Sequence, residues 1–175
     1  MNAIEKIALE NDLNKLKTYF NPKYVNIYRI PLKPGCSYCL KFVVNAPSYV
    51  VHSNEQTEPT RVSSVTFFMD IYSGYPAKKP RVYYGDTSWL YHINVFSDSH
   101  SQCTDRWVNG NSNLCELAEK TVRAIVFDKS VRRYNSMATS GPEKWMRIME
   151  EKNKLPTMDF TLLLRRYQRR QPKRA

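Results

Sequence analysis

The sequence predicts an α+β fold in which helices lie against one face of a four-stranded antiparallel meander. Three observations predict it. A helical period of apolar residues fills the first stretch of the chain, a series of short aromatic and β-branched segments divided by turn residues fills the middle, and helical period returns in the last third.

Residues 3–20 read as the N-terminal helix. Ile4, Ile7, Leu13, Leu16 and Phe20 recur near helical spacing, with Glu5, Lys6, Asn11, Asp12, Lys15 and Lys17 between them. Asn2 is placed to cap it, and Asn21-Pro22 stops it. Residues 24–32 and 37–45 are rich in Tyr, Val, Ile and Phe and read as strands, with Pro34-Gly35 as the turn between them. Residues 52–61 are polar and read as a loop. Residues 62–72 are the clearest strand, and Arg81–Tyr84 form the fourth. Strands that follow one another through short turns pair antiparallel. Residues 85–111 carry no clear period, and a long irregular stretch inside a compact domain is usually functional. Helical period resumes over 113–127, with Leu114, Leu117, Ala118, Thr121, Val122 and Ile125 on one face and Ser112 or Asn113 as the cap. Gly141-Pro142 opens a further helix through Lys152, which Pro156 closes, and residues 158–170 are expected as a last helix. The expected division is one domain over 1–156, followed by a C-terminal helix and basic tail over 157–175.

Composition narrows the function classes. With 42% hydrophobic and 13% aromatic residues, the 175-residue chain buries a real core, which excludes global disorder. No apolar run approaches the roughly 20 residues that span a membrane, and the N-terminus has no apolar block ahead of a small-residue cleavage site. A cytoplasmic location with reduced thiols is expected. Cys36 and Cys39 form a Cys-x-x-Cys, but His52, His92 and His100 supply no second ligand pair at zinc spacing, so no metal site is expected. These two cysteines are placed at the start of a strand, one of them buried. The formal net charge is +11, yet residues 165–175 hold six Lys/Arg and no acid, so over half of the excess sits in the tail. Such a tail attracts nucleic acid, anionic membrane or an acidic protein surface, or is simply solvated.

The chemistry-bearing residues cluster between Tyr75 and Trp107. Tyr75-Pro76 and Pro80 bracket a turn whose backbone angles the two prolines fix. Tyr91-His92-Ile93-Asn94 follows, and then Cys103-Thr104-Asp105, with Cys103 nine positions after Asn94 behind the polar loop Ser97–Gln102. A thiol on a polar loop acts as a nucleophile, whereas a buried one is inert.

In this order the three motifs resemble the core of the ubiquitin-conjugating enzyme (UBC-like) family, over roughly residues 3–150. The family shows a Tyr-Pro-x-x-x-Pro turn after a strand, a His-Pro-Asn tripeptide, here with isoleucine for proline, and a nucleophilic cysteine in a Cys-x-Asp context. The short connection from Cys103 to the next helix and the missing prolines resemble divergent bacterial members encoded in ubiquitin-like or CBASS antiphage operons. The resemblance implies the UBC-like fold, with a long active-site loop and two or three C-terminal helices. It implies that Cys103 accepts the C-terminal glycine of a ubiquitin-like modifier or other protein as a thioester from an activating enzyme, and passes it to an acceptor lysine. It implies that His92 organises the loop, that Asn94 supports the loop or stabilises the oxyanion, and that Asp105 orients or deprotonates the incoming amine. Trp107 stands in for a family tryptophan, and Cys115 is helical packing. No metal or bound cofactor is implied. The partners implied are the modifier, the activating enzyme and an acceptor protein, with a nucleotide-signalling synthase among the acceptors a bacterial defence member would have.

Three other readings stand beside this one. The altered tripeptide fits a catalytically inactive UBC-like adaptor. Cys103 with His92 or His100 would make a Cys–His hydrolase, though no third group orients the base. The basic tail would make a nucleic-acid binder, although no nucleic-acid motif is present and tail-only binding would be weak.

Overall fold

A capping box fixes the first element. The Asn2 side chain accepts the Glu5 N–H at 2.9 Å, and the Glu5 carboxylate accepts the Asn2 N–H at 3.0 Å. Helix α1 (Ala3–Tyr19) buries Leu9, Asp12 and Leu16, and leaves Ile4 and Ile7 exposed. The computed structural model describes residues 1–56, 58–104, 107, 112–132, 134, 137–156 and 158–165.

Four strands follow the expected meander: β1 (Val25–Arg29), β2 (Cys36–Val44), β5 (Val65–Tyr72) and β6 (Arg81–Tyr84), hydrogen-bonded antiparallel in the order β1-β2-β5-β6. Gly35, with φ of +78°, makes the turn into β2, where a side chain would strain the backbone. Three short strands form a second sheet in the order β4-β3-β7: β3 (Ser48–Val51), β4 (Thr60–Val62) and β7 (Trp89–Leu90). The loop expected over 52–61 is therefore bounded by β3 and ends inside β4, and the irregular stretch after 85 contains β7. Segments of two to four residues are too short to show a period, and cross-strand hydrogen bonds make them strands.

One face of the main sheet carries Leu40, Phe42, Val44, Phe67, Met69 and Ile71, all buried. Phe42 and Phe67 stack across β2 and β5 with centroids 4.3 Å apart. Helix α2 (Leu114–Ile125) brings its predicted face, Leu114, Leu117, Ala118, Thr121, Val122 and Ile125, into this core. Asn113 caps it, accepting the Glu116 N–H at 3.1 Å. The Tyr19 hydroxyl donates to the Glu119 carboxylate and ties α1 to α2. Helix α3 (Gly141–Glu151) carries Pro142 in its first turn and buries Met146 in a smaller cluster with Ile93, Phe127 and Leu155.

The last helix expected over 158–170 does not form in its described part. Phe160–Leu163 is a single 3₁₀ turn capped by Asp159, and Leu164 then bridges antiparallel to Phe20. Asn21 N–H donates to the Leu163 carbonyl at 2.8 Å and Arg165 N–H to the Tyr19 carbonyl at 3.0 Å. Burial of Phe160 and Leu163 beside the end of α1 overrides the helix propensity of the leucines. Residues 166–170 lie outside the described residues. No described helix is long and apolar enough to cross a membrane.

The stacked pair sets a prediction. Phe67→Ala leaves a void against Phe42 and lowers unfolding free energy by about 3–5 kcal/mol, measured by urea denaturation.

Candidate active site

The stretch from Asn94 to Cys103 is a tight hairpin. Val95 bridges antiparallel to Gln102, Phe96 N–H donates to the Ser101 carbonyl at 3.0 Å, and Cys103 N–H donates to the Asn94 carbonyl at 2.6 Å. The register pairs 96 with 101, 95 with 102 and 94 with 103, so Asn94 and Cys103 stand opposite each other. Directly opposed residues of an antiparallel pair share a face with Cβ atoms about 4.5–5.5 Å apart. Ser97–His100 form the reversal, and His100 takes the left-handed conformation at φ of +49°. The nine-residue separation is what this register requires.

The returning arm is held along β6. Gln102 N–H donates to the Val82 carbonyl and Tyr84 N–H to the His100 carbonyl, each at 2.9 Å. The buried Tyr84 hydroxyl donates to Gln102 Oε1 at 2.7 Å, while Gln102 Nε2 donates to the Cys103 carbonyl at 3.3 Å. A buried amide thus grips the backbone of the cysteine itself.

Cys103 is half-buried and its thiol is free. The Asn94 side chain donates through Nδ2 to the Val131 carbonyl at 2.6 Å. That carbonyl is fixed by the 3₁₀ turn Lys129–Val131, which Asp128 caps through Ser130. One amide hydrogen of Asn94 is thereby used, and among the described residues the second has no acceptor.

His92 is fully buried. Its Nδ1 accepts the Asn94 N–H at 3.1 Å, which places the proton of the neutral ring on Nε2. Burial, and then the Arg132 guanidinium, push its pKa down to about 3. Nε2 has no hydrogen-bond partner among the described residues, so His92 makes no hydrogen bond to the thiol. His100 stacks on Trp89 at 3.8 Å with its Nδ1 facing Asp86 at 3.9 Å. Neither histidine is arranged as the base of a Cys–His pair. Ile93, where the family has proline, is an apolar anchor: it is fully buried against the α3 cluster, and its carbonyl accepts the Ala138 N–H at 2.8 Å.

The Tyr-Pro turn reaches the cysteine from the other side. The Trp107 indole N–H donates to the Pro76 carbonyl at 2.7 Å, and Lys79 Nζ donates to the Thr104 carbonyl at 2.8 Å. The buried Tyr75 hydroxyl donates to Asp12 on α1. Sequence reading treated Tyr75–Pro80, His92–Asn94 and Cys103 as separate motifs, and the structure joins them through backbone carbonyls, which no side-chain pattern reveals. Val131 was missed for that reason, and Gln102 and Tyr84 because their side chains meet only through the pairing of the returning arm with β6. Asp105 lies outside the described residues. Cys115 is buried on α2, and burial, followed by the Asp12 carboxylate, pushes its thiol up to about 11, as helical packing requires. Cys36 opens β2 and Cys39 is fully buried, as expected; Asp70 on β5 adds a third donor of metal-binding type that the sequence did not disclose.

No protein-family model matches the chain, and no curated protein matches it. A solved structure of Ubc12 from S. cerevisiae superposes on 84% of this chain and 70% of its own length, with a TM-score of 0.51 at 16% identity. At that identity the likeness is one of fold, and the architecture is the α+β fold of ubiquitin-conjugating enzymes.

The buried histidine gives a pH prediction. An unfolded histidine has a pKa near 6.5, so between about pH 3 and pH 6.5 the unfolded chain binds the extra proton. His92 therefore makes stability fall as pH drops through that window, and contributes no slope above it. Urea unfolding between pH 3 and 7 shows a shallower acid-side loss for His92→Asn than for the unaltered chain.

Proposed function

We propose that the chain is a ubiquitin-conjugating-type acyltransferase that carries the C-terminal glycine of a ubiquitin-like protein as a thioester on Cys103. The observation that carries this reading is the opposition of Asn94 and Cys103 in a braced hairpin on a UBC-type fold. The thiolate attacks the activated glycine carbonyl handed over by an activating enzyme, and that enzyme's leaving group departs as the thioester forms. An acceptor lysine amine then attacks the thioester carbonyl, the sulfur leaves as thiolate, and the amine's extra proton passes to a base. Asn94 supplies the donor for the oxyanion from its second amide hydrogen. Asp105 orients the amine and receives the proton. His92 holds the Asn94 backbone and stays neutral throughout, which its burial and Nδ1 contact support.

The finer assignment follows the sequence resemblance: a cytoplasmic bacterial protein acting in antiphage defence, with a nucleotide-signalling synthase as one acceptor. The basic tail adds at most weak attraction for nucleic acid.

Intact mass and non-reducing gels of the full chain expressed with its genomic neighbours test the proposal. A thiol-labile adduct present in the unaltered chain and absent from Cys103→Ala is expected, and its mass identifies the modifier. No adduct in either, with the neighbours confirmed as expressed, overturns it in favour of a non-catalytic adaptor. Asn94→Ala retains the adduct but slows discharge to lysine by about 100-fold, read in a single-turnover chase.

A further inference from the structure

We infer that Cys36, Cys39 and Asp70 form a binding site for a thiophilic divalent cation of the zinc type, separate from the Cys103 loop. Residues three apart in a regular strand point to opposite faces, so a Cys-x-x-Cys within a strand should not converge. Here the register between β2 and β5 slips between Cys36 and Tyr38, where Cys36 pairs with Tyr72 and Tyr38 with Ile71. Ser37 is the extra residue of a β-bulge, and the bulge returns Cys36 to the face of Cys39. Cys39 pairs directly with Asp70 on β5. The two sulfurs and one carboxylate oxygen lie within 4.8 Å of one another. Zinc binds sulfur at about 2.3 Å and carboxylate oxygen at about 2.1 Å. At the tetrahedral angle two ligands on one ion stand about 3.6–3.8 Å apart, so shifts of up to about 1 Å, within reach of side-chain rotation, close the set.

The chemistry of the donors selects the ion. Two thiolates and one carboxylate suit zinc and exclude magnesium and calcium, which take oxygen. Cys39 and Asp70 are buried and Cys36 is half-buried, so the fourth position opens beside Cys36 to water or to a ligand from another molecule. Binding one dication releases a proton from each thiol and leaves a net charge of −1 on the ion and its three ligands. Lys33 compensates it. Its ammonium lies 3.9 Å from Asp70, hydrogen-bonds the Tyr83 hydroxyl and sits over the Tyr83 ring at 4.3 Å. Tyr83 itself donates to Asp70 Oδ1 at 3.2 Å and orients the carboxylate from outside the ligand set. Burial, and then the Asp70 carboxylate, push the Cys36 thiol up to about 11.

Cobalt(II) titration of the full, reduced chain tests the site. One equivalent is expected to bind with an apparent Kd below about 1 μM, giving the near-ultraviolet band of cobalt–thiolate charge transfer, which zinc then abolishes by displacement. Cys36→Ser is expected to weaken binding at least about 100-fold, with circular dichroism unchanged, because Cys36 is half-buried at a strand start. Cys103→Ser and Cys115→Ser keep the full band. No band in the unaltered chain, a band that survives Cys36→Ser, or a band lost in Cys115→Ser overturns the inference. Asp70→Asn, if it folds by the same criterion, gives the band at reduced affinity; unchanged affinity removes Asp70 from the site.

Discussion

The hydrogen bond from the Cys103 N–H to the Asn94 carbonyl sets the register on which the candidate site depends. It is the last rung of a ladder that also holds Val95 to Gln102 and Phe96 to Ser101. A slip of one residue in such a ladder would turn the cysteine to the other face. With the register as it stands, the half-buried, free Cys103 stands opposite Asn94, whose side chain has one hydrogen without an acceptor among the described residues. Each arm is anchored elsewhere: the outgoing arm by buried His92 and Ile93, the returning arm by the backbone of β6 and by Gln102 against Tyr84.

Rigidity arrives from three directions, and each is inexpensive in side chains. The 3₁₀ turn after α2 presents the Val131 carbonyl to Asn94, the Tyr75–Pro80 turn meets Thr104 and Trp107, and residues 138–139 dock on the Ile93 carbonyl. These supports are mainly backbone acceptors, fixed by the elements they end. A geometry assembled in this way holds donors in place before any charge develops, the condition under which an oxyanion donor is most effective. The isoleucine at 93 fits the same scheme. Proline would have fixed the turn through its ring, whereas Ile93 fixes it by burial against Phe127, Met146 and Leu155.

Much of the scaffold was legible in the sequence because it follows periodicity. The caps at Asn2 and Asn113 and the buried face of α2 fall where residue spacing puts them, and β6 matches residue for residue. β3, β4 and β7 were not legible, since their existence rests on long-range pairing. The leucines near 162–164 read as helix but are claimed by a bridge to Phe20, a tertiary contact that local propensity cannot register. Within the site, Cys103, Asn94 and His92 were visible as residue types in a familiar order, yet the opposition of Asn94 and Cys103 came from a hairpin register hidden in an irregular stretch. The convergence of Cys36 and Cys39 with Asp70 was hidden for a similar reason, because it depends on a bulge and on a partner from a distant strand.

Residue-resolved amide hydrogen exchange across Asn94–Cys103 tests the register most directly. The account predicts that the Phe96 and Cys103 amides, both donated across the ladder, exchange much more slowly than those of Asp98 and Ser99 at the tip. A Cys103 amide exchanging as fast as the tip would contradict it, since Asn94 and Cys103 would then not be held opposite each other.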